Sequence, residues 1–275
     1  MKIEIKEEKK RNIPIYYIGI PIVLILGYLG INYLNQNETN QPKDTQEIEQ
    51  EDIKEKEVDE EVIKDPVEIF QVIESQQAYI VVPGNIETKN PPTLIIYSHG
   101  SNTLVTEDMS DPFMLDLRSY GMFFAKQNYI FAASNQHGVN WGNSASIQDT
   151  LNLKNWVDDN YNIKEKIFLL GFSMGGLPTL NFTTTYPELV SKVALLAPSL
   201  KSSEWNQERT NKVEDIDIKI WHGNTDVNVP YSYSTYFVNK LKGYGKDISL
   251  ITLEGKTHFD IDTEYMEDIL IFFNQ

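Results

Sequence analysis

The 275-residue chain has no cysteine. A disulfide scaffold, a Cys-ligated metal centre, a thiol nucleophile and a lipid-modified cysteine are therefore excluded. Positive charge is also scarce: 24 Lys plus Arg stand against 40 Asp plus Glu, a formal charge of −16. A polyanion repels phosphate backbones, so no nucleic-acid partner is expected. Histidine occurs four times, at His99, His137, His222 and His258. No metal and no cofactor is called for by any spacing of these residues.

Charge is missing altogether between Asn12 and Asn37. Within that stretch, the 22 residues 13–34 are almost entirely Ile, Leu, Val, Tyr and Gly, and at about 1.5 Å each they make roughly 33 Å of helix, against a bilayer core of about 30 Å. Pro14 and Pro21 are tolerated in such a helix, and Tyr16, Tyr17 and Tyr33 lie towards its ends, where amphipathic rings favour the membrane interface. Lys2, Lys6, Lys9, Lys10 and Arg11 precede it. The positive-inside rule then puts residues 1–12 in the cytoplasm, makes 13–34 a single-pass transmembrane anchor and leaves the rest extracytoplasmic. The competing readings are a cleaved signal peptide, which would give a secreted protein, and a buried core helix. The apolar run is long for a signal peptide, and its exit lacks a small-x-small cleavage site.

Residues 35–66 are different in kind, with 12 acidic and 4 basic residues and no aromatic side chain. Such a segment buries too little apolar surface to offset its ordering entropy, which predicts a disordered acidic stalk. The remaining 67–275 has the length of one domain. Short β-branched or aromatic runs predict strands over 67–72, 78–82, 93–98, 129–133, 166–170, 192–196, 217–221 and 247–253. Helical patterns fall over 113–127, 144–161, 174–186, 231–243 and 262–273. From the third strand onward the two alternate, the pattern of an α/β fold with an eight-stranded, mostly parallel sheet covered by helices on both faces.

The chemistry centres on Gly171-Phe172-Ser173-Met174-Gly175. An apolar strand runs into this motif and a helical pattern leaves it, the setting in which G-x-S-x-G is a nucleophile elbow: the serine sits in a strained turn and flanking side chains would collide. A serine hydroxyl needs a base, an acid to orient the base, and donors for the oxyanion. In this type of sheet the chain order is serine, acid, histidine. That order selects His258, after the last strand, and Asp226, beyond the carboxyl end of the strand before it. Asp260 is the alternative acid, although it lies close to His258 in sequence. Asp215 and Asp217 fall at the wrong end of their strand.

With these motifs, 67–275 resembles the α/β-hydrolase superfamily. Ser98-His99-Gly100-Ser101 is similar to that family's His-Gly loop, and the resemblance implies an oxyanion hole made by the backbone N–H groups of Ser101 and Met174. H-G-x-x-D-x-x-V-P at 222–230 resembles the acid loop of esterases and prolyl-oligopeptidase-like serine hydrolases. His99 is expected to shape its loop and His222 to pack near the acid turn. His137 and Trp141 follow a strand's carboxyl end, where open α/β sheets bind ligands, and are candidate substrate-binding residues. Only 20 residues, 197–216, bridge the sixth and seventh strands, so a minimal lid and a small-molecule or wall-linked acyl substrate are expected. Ester hydrolysis is the leading expectation. Peptide or amide hydrolysis, acyl transfer at the cell surface and non-catalytic binding on the same scaffold are the alternatives.

Overall fold

Strand alternation puts apolar side chains on both faces of one sheet. Leu94 and Ile96 join one buried cluster while Ile95 and Tyr97 join another, and Ile130 and Ala132 alternate in the same way with Phe131 and Ala133. Strands buried on both sides read as continuous apolar runs, which is what a helix-covered parallel sheet requires. A computed structural model of the chain describes residues 64–275. The anchor expected over 13–34 and most of the stalk expected over 35–66 lie outside the described residues. Among the described residues no helix is long and apolar enough to cross a membrane.

The eight strands are β1 (Val67–Ile73), β2 (Gln76–Val82), β3 (Thr93–Ser98), β4 (Tyr129–Ser134), β5 (Ile167–Phe172), β6 (Val190–Leu196), β7 (Asp217–Gly223) and β8 (Ser249–Leu253). Their spatial order is β1-β2-β4-β3-β5-β6-β7-β8. β1 pairs antiparallel with β2, and β2 antiparallel with β4. All other pairings are parallel. This is the sheet of an α/β hydrolase. Because β3 lies between β4 and β5, the chain reverses its winding direction there, and the carboxyl ends of β3 and β5 open onto a crevice.

The helices are α1 (Pro112–Ala125), α2 (Ser144–Asn160), α3 (Gly176–Thr185), the five-residue α4 (Gln207–Asn211), α5 (Tyr231–Gly243) and α6 (Met266–Asn274). α1 and α6 bury Met114, Leu117, Tyr120, Phe124, Ile269 and Phe272 in one cluster. On the opposite face α2, α3 and α5 bury Leu153, Val157, Leu180, Phe182, Phe237 and Leu241. Local sequence sets the helix starts. Asp111 accepts from the Phe113 N–H at 2.9 Å with Pro112 in the first turn, and Asn143 accepts from the Ser146 N–H at 2.9 Å, each satisfying an otherwise orphaned amide. Between β6 and β7 stand only a 3₁₀ turn, Ser202–Glu204, and α4. Among the described residues no large cap covers the crevice.

Candidate active site

Ser173 begins where β5 stops, and its backbone is left-handed, with φ of 52°. A non-glycine residue in that region is strained, and the surrounding packing enforces it. A β-carbon on Gly175 would overlap the Ser98 carbonyl of β3, and one on Gly171 would meet the Thr179 hydroxyl at 2.6 Å. Glycine at these two places therefore lets β3, β5 and α3 close around the serine.

The loops that follow β7 and β8 supply the other groups. His258 Nε2 lies 2.8 Å from Ser173 Oγ, and His258 Nδ1 lies 2.7 Å from Asp226 Oδ2. A carboxylate only accepts, so Nδ1 carries the proton and Nε2 is left to accept from the serine hydroxyl. The other oxygen of Asp226 accepts from the Asn228 and Val229 amides, both at 2.8 Å. All three side chains are largely buried: Ser173 is 9% exposed, Asp226 7% and His258 3%.

The acid turn is tied to the histidine loop by groups that leave little trace in sequence. Asn224 Nδ2 donates to Glu254 at 2.5 Å, while its Oδ1 accepts from the Gly255 N–H at 2.8 Å. The Thr225 hydroxyl donates to the Lys256 carbonyl at 2.8 Å. The histidine loop is held in turn from below. Tyr120 donates to the Asp262 carbonyl and, at 3.2 Å, to its carboxylate. Asp260, the alternative acid, is engaged by Thr257, while His258 Nδ1 is paired with Asp226: the Asp260 carboxylate accepts from the Thr257 amide at 2.8 Å and the Thr257 hydroxyl at 2.6 Å, and those bonds hold its pKa below the usual value.

His222 is fully buried behind Asp226. Its Nε2 sits 2.9 Å from the Val229 carbonyl and 3.2 Å from Asp226 Oδ2, and its Nδ1 sits 2.7 Å from Ser234 Oγ. A carbonyl cannot donate, so this network assigns the proton to Nε2 and makes Ser234 the donor to Nδ1. Burial pushes the His222 pKa down, against the bonds to Val229 and Asp226 that favour the charged form. The ring is therefore a neutral prop for the acid turn.

A cavity of about 490 Å³ opens above Ser173, within the usual range for small-molecule sites. Ser101 and Trp141 line it together with His258 and Phe259. Met174 is completely buried beneath it and occupies the first turn after Ser173, where amides lack intrahelical acceptors. His137 is not part of the lining. Its Nδ1 is pinned 2.5 Å from Asp149 of α2, and its backbone N–H donates to Gln76 at 2.9 Å. The Asp149 carboxylate draws the ring towards α2, so of the two candidate substrate-binding residues the structure places Trp141 in the cavity lining and His137 outside it. His99 ties two loops together, with Nε2 2.9 Å from the Asn135 carbonyl and Nδ1 2.7 Å from that of Gly100. Among the described residues no cluster of three or more His, Asp or Glu is arranged to hold a metal ion.

A family model described as phospholipase/carboxylesterase matches residues 75–275. The chain belongs to that family. This carboxylesterase-family chain is accordingly a hydrolase. Its described domain is similar to a thermostable esterase, with a TM-score of 0.60, 18% identity, and coverage of 78% of this chain and 64% of that one. It is also similar to Est1E from Butyrivibrio proteoclasticus, with a TM-score of 0.58, 16% identity, and coverage of 75% of this chain and 97% of that one. Likenesses at these identities concern the fold. In sequence, a 68-residue stretch is 40% identical to homoserine O-acetyltransferase from Corynebacterium glutamicum, covering 24% of this carboxylesterase-family chain and 18% of that enzyme's length.

Proposed function

We propose that this chain is a serine esterase working through Ser173, His258 and Asp226. Ser173 Oγ attacks the acyl carbon of a carboxylic ester while His258 Nε2 takes its proton. Asp226 stabilises the imidazolium through Nδ1–H, and the backbone N–H groups of Ser101 and Met174 hold the oxyanion. The tetrahedral intermediate collapses by breaking the C–O bond, with Nε2–H protonating the departing alkoxide. Water, deprotonated by His258, then attacks the acyl-enzyme and releases the acid and free Ser173. The observation that carries this reading is the pair of contacts at 2.8 and 2.7 Å on the two nitrogens of one buried imidazole. The test is covalent: a fluorophosphonate labels an activated serine, so the full chain is expected to be labelled at Ser173 and the Ser173→Ala variant to remain unlabelled. Labelling that persists in the variant would overturn the assignment.

Acyl transfer is the second reading, supported by the stretch shared with an O-acetyltransferase. The same acyl-enzyme would then pass to an alcohol acceptor in place of water. Product that depends on an added alcohol, at the expense of free acid, separates the two.

The enzyme is further proposed to stand on the outer face of the cell membrane, on an anchor at 13–34 and an acidic stalk at 35–66. The support is the charge-free apolar run behind a basic flank. Protease treatment of intact cells is then expected to release an active fragment beginning within 35–66. Protection until the membrane is permeabilised would invert the orientation, and release without protease would mean a cleaved signal peptide.

A further inference from the structure

We infer that the ester taken by this site carries an oxyanion, a carboxylate or phosphate remote from the scissile bond, and that Lys201 recognises it; the inference rests on the esterase reading. The chain carries a formal charge of −16, yet among the described residues no Asp or Glu lines the cavity above Ser173. The nearest functional carboxylate, Asp226, is closed off behind His258 with a side chain 0% exposed. Among the described residues Lys201 is the one Lys or Arg in the lining.

The ion pairing around Lys201 leaves its charge available. Its carboxylate partner Glu204 lies 3.6 Å away and is shared with Arg209 at 3.4 Å, so two cations face one anion. Arg209 is held in place over the Trp205 ring, 4.5 Å from its centroid. Lys240 adds a third cation to the same turn, donating to the Ser202 carbonyl at 2.7 Å. The Lys201–Glu204 pair is nearly half exposed on both sides, and such surface pairs are weak enough for a substrate anion to displace. Beyond about 8 Å solvent salt screens the acidic surface, while inside the cavity the nearest charge dominates. A neutral ester would gain nothing from a carboxylate-free lining with a lysine at its edge. For an anionic ester, any lining carboxylate would be a direct repulsion.

The experiment compares matched ester pairs on the full-length chain: 4-nitrophenyl hemiglutarate against its methyl-capped neutral counterpart, and 4-acetoxybenzoate against 4-acetoxybenzamide. Rates are normalised to hydroxide-catalysed hydrolysis. In at least one pair the anionic member is expected to have the higher kcat/KM, by roughly fivefold. That ratio is expected to fall towards one in Lys201→Gln, to invert in Lys201→Glu and to rise in Glu204→Gln. Neutral esters turned over with no anionic preference in either pair, or a preference that survives Lys201→Gln, would overturn the inference and leave the esterase reading standing. Inertness towards every ester, with no fluorophosphonate labelling of Ser173, would overturn both.

Discussion

His222 and His258 converge on one oxygen: Asp226 Oδ2 lies 2.7 Å from His258 Nδ1 and 3.2 Å from His222 Nε2. The second imidazole fixes the carboxylate from behind and also donates to the Val229 carbonyl, closing the turn that carries the acid. In the proposed mechanism His222 would act as a positioning residue. His222→Ala is expected to lower kcat by on the order of 10- to 100-fold through misplacement of Asp226. His222→Gln, whose amide nitrogen can still donate, is expected to recover part of the loss. A merely structural role would lower stability without this rescue of kcat, so the measurement is kcat together with the melting temperature for both variants.

The three proposed catalytic groups make a graded expectation. Ser173→Ala and His258→Ala should each cost several orders of magnitude in kcat, and Asp226→Asn roughly 10⁴, as in other triads, with double variants no worse than the single ones. Asp260→Asn should stay near wild type, because Asp260 only closes a turn with Thr257. Steady-state ester kinetics on the four variants decide this, and a dead Asp260→Asn beside an active Asp226→Asn would exchange the two roles.

The core strands were readable from their apolar runs, and the three side chains that the fold brings into contact, Ser173, Asp226 and His258, stand on local signals of their own: a glycine pair and polar loops after strands. The strand expected to stop at Leu170 in fact continues to Phe172. Glycine lowers strand propensity, and only the approach of Thr179 and Gly175 reveals why Gly171 stands inside a strand. The short helix α4 gave no periodic pattern because five residues are too few to show one. The contact between His137 and Asp149 was not legible for a different reason. Its partner Asp149 lies 12 residues away on α2, and a carboxylate inside an amphipathic helix looks solvated until the fold buries it. The ties from Asn224 and Thr225 to the histidine loop span about 30 residues and have no sequence signature at all.

Close packing at the elbow sets up a comparison of two glycines. In Gly175→Ala the new methyl has to displace the Ser98 backbone of β3, so the variant is expected to fold poorly or lose several kcal/mol, at the severe end of single substitutions. Gly243→Ala closes α5 where an added β-carbon meets nothing within 4 Å, and is expected to be neutral or stabilising by up to about 1 kcal/mol through helix propensity. Thermal melts of the two proteins check the contrast, and a well-folded Gly175→Ala of wild-type stability would show that β3 and the elbow do not meet this closely.

The last prediction concerns Asp262, four residues beyond His258. Burial pushes its carboxyl up from 3.8 to about 6, and Asp116 adds to the shift, while the hydroxyls of Tyr120 and Tyr97 pull the other way. Below pH 3.8 the group is protonated in both the folded and the unfolded chain and has no effect on the balance between them. Between 3.8 and about 6 the folded chain holds a proton that the unfolded chain has released, so stability falls as pH rises. Above about 6 the folded chain carries a buried charge, and the cost reaches its full value, on the order of 3 kcal/mol for a shift of this size. Asn keeps an oxygen to accept from the two tyrosines and has no charge to bury. Asp262→Asn is therefore expected to raise the melting temperature at pH 8 and to leave it nearly unchanged near pH 4. Equal gains at both pH values would trace the effect to packing instead of charge, and a loss at pH 8 would mean that the ionised carboxylate is the form the two tyrosines hold in place.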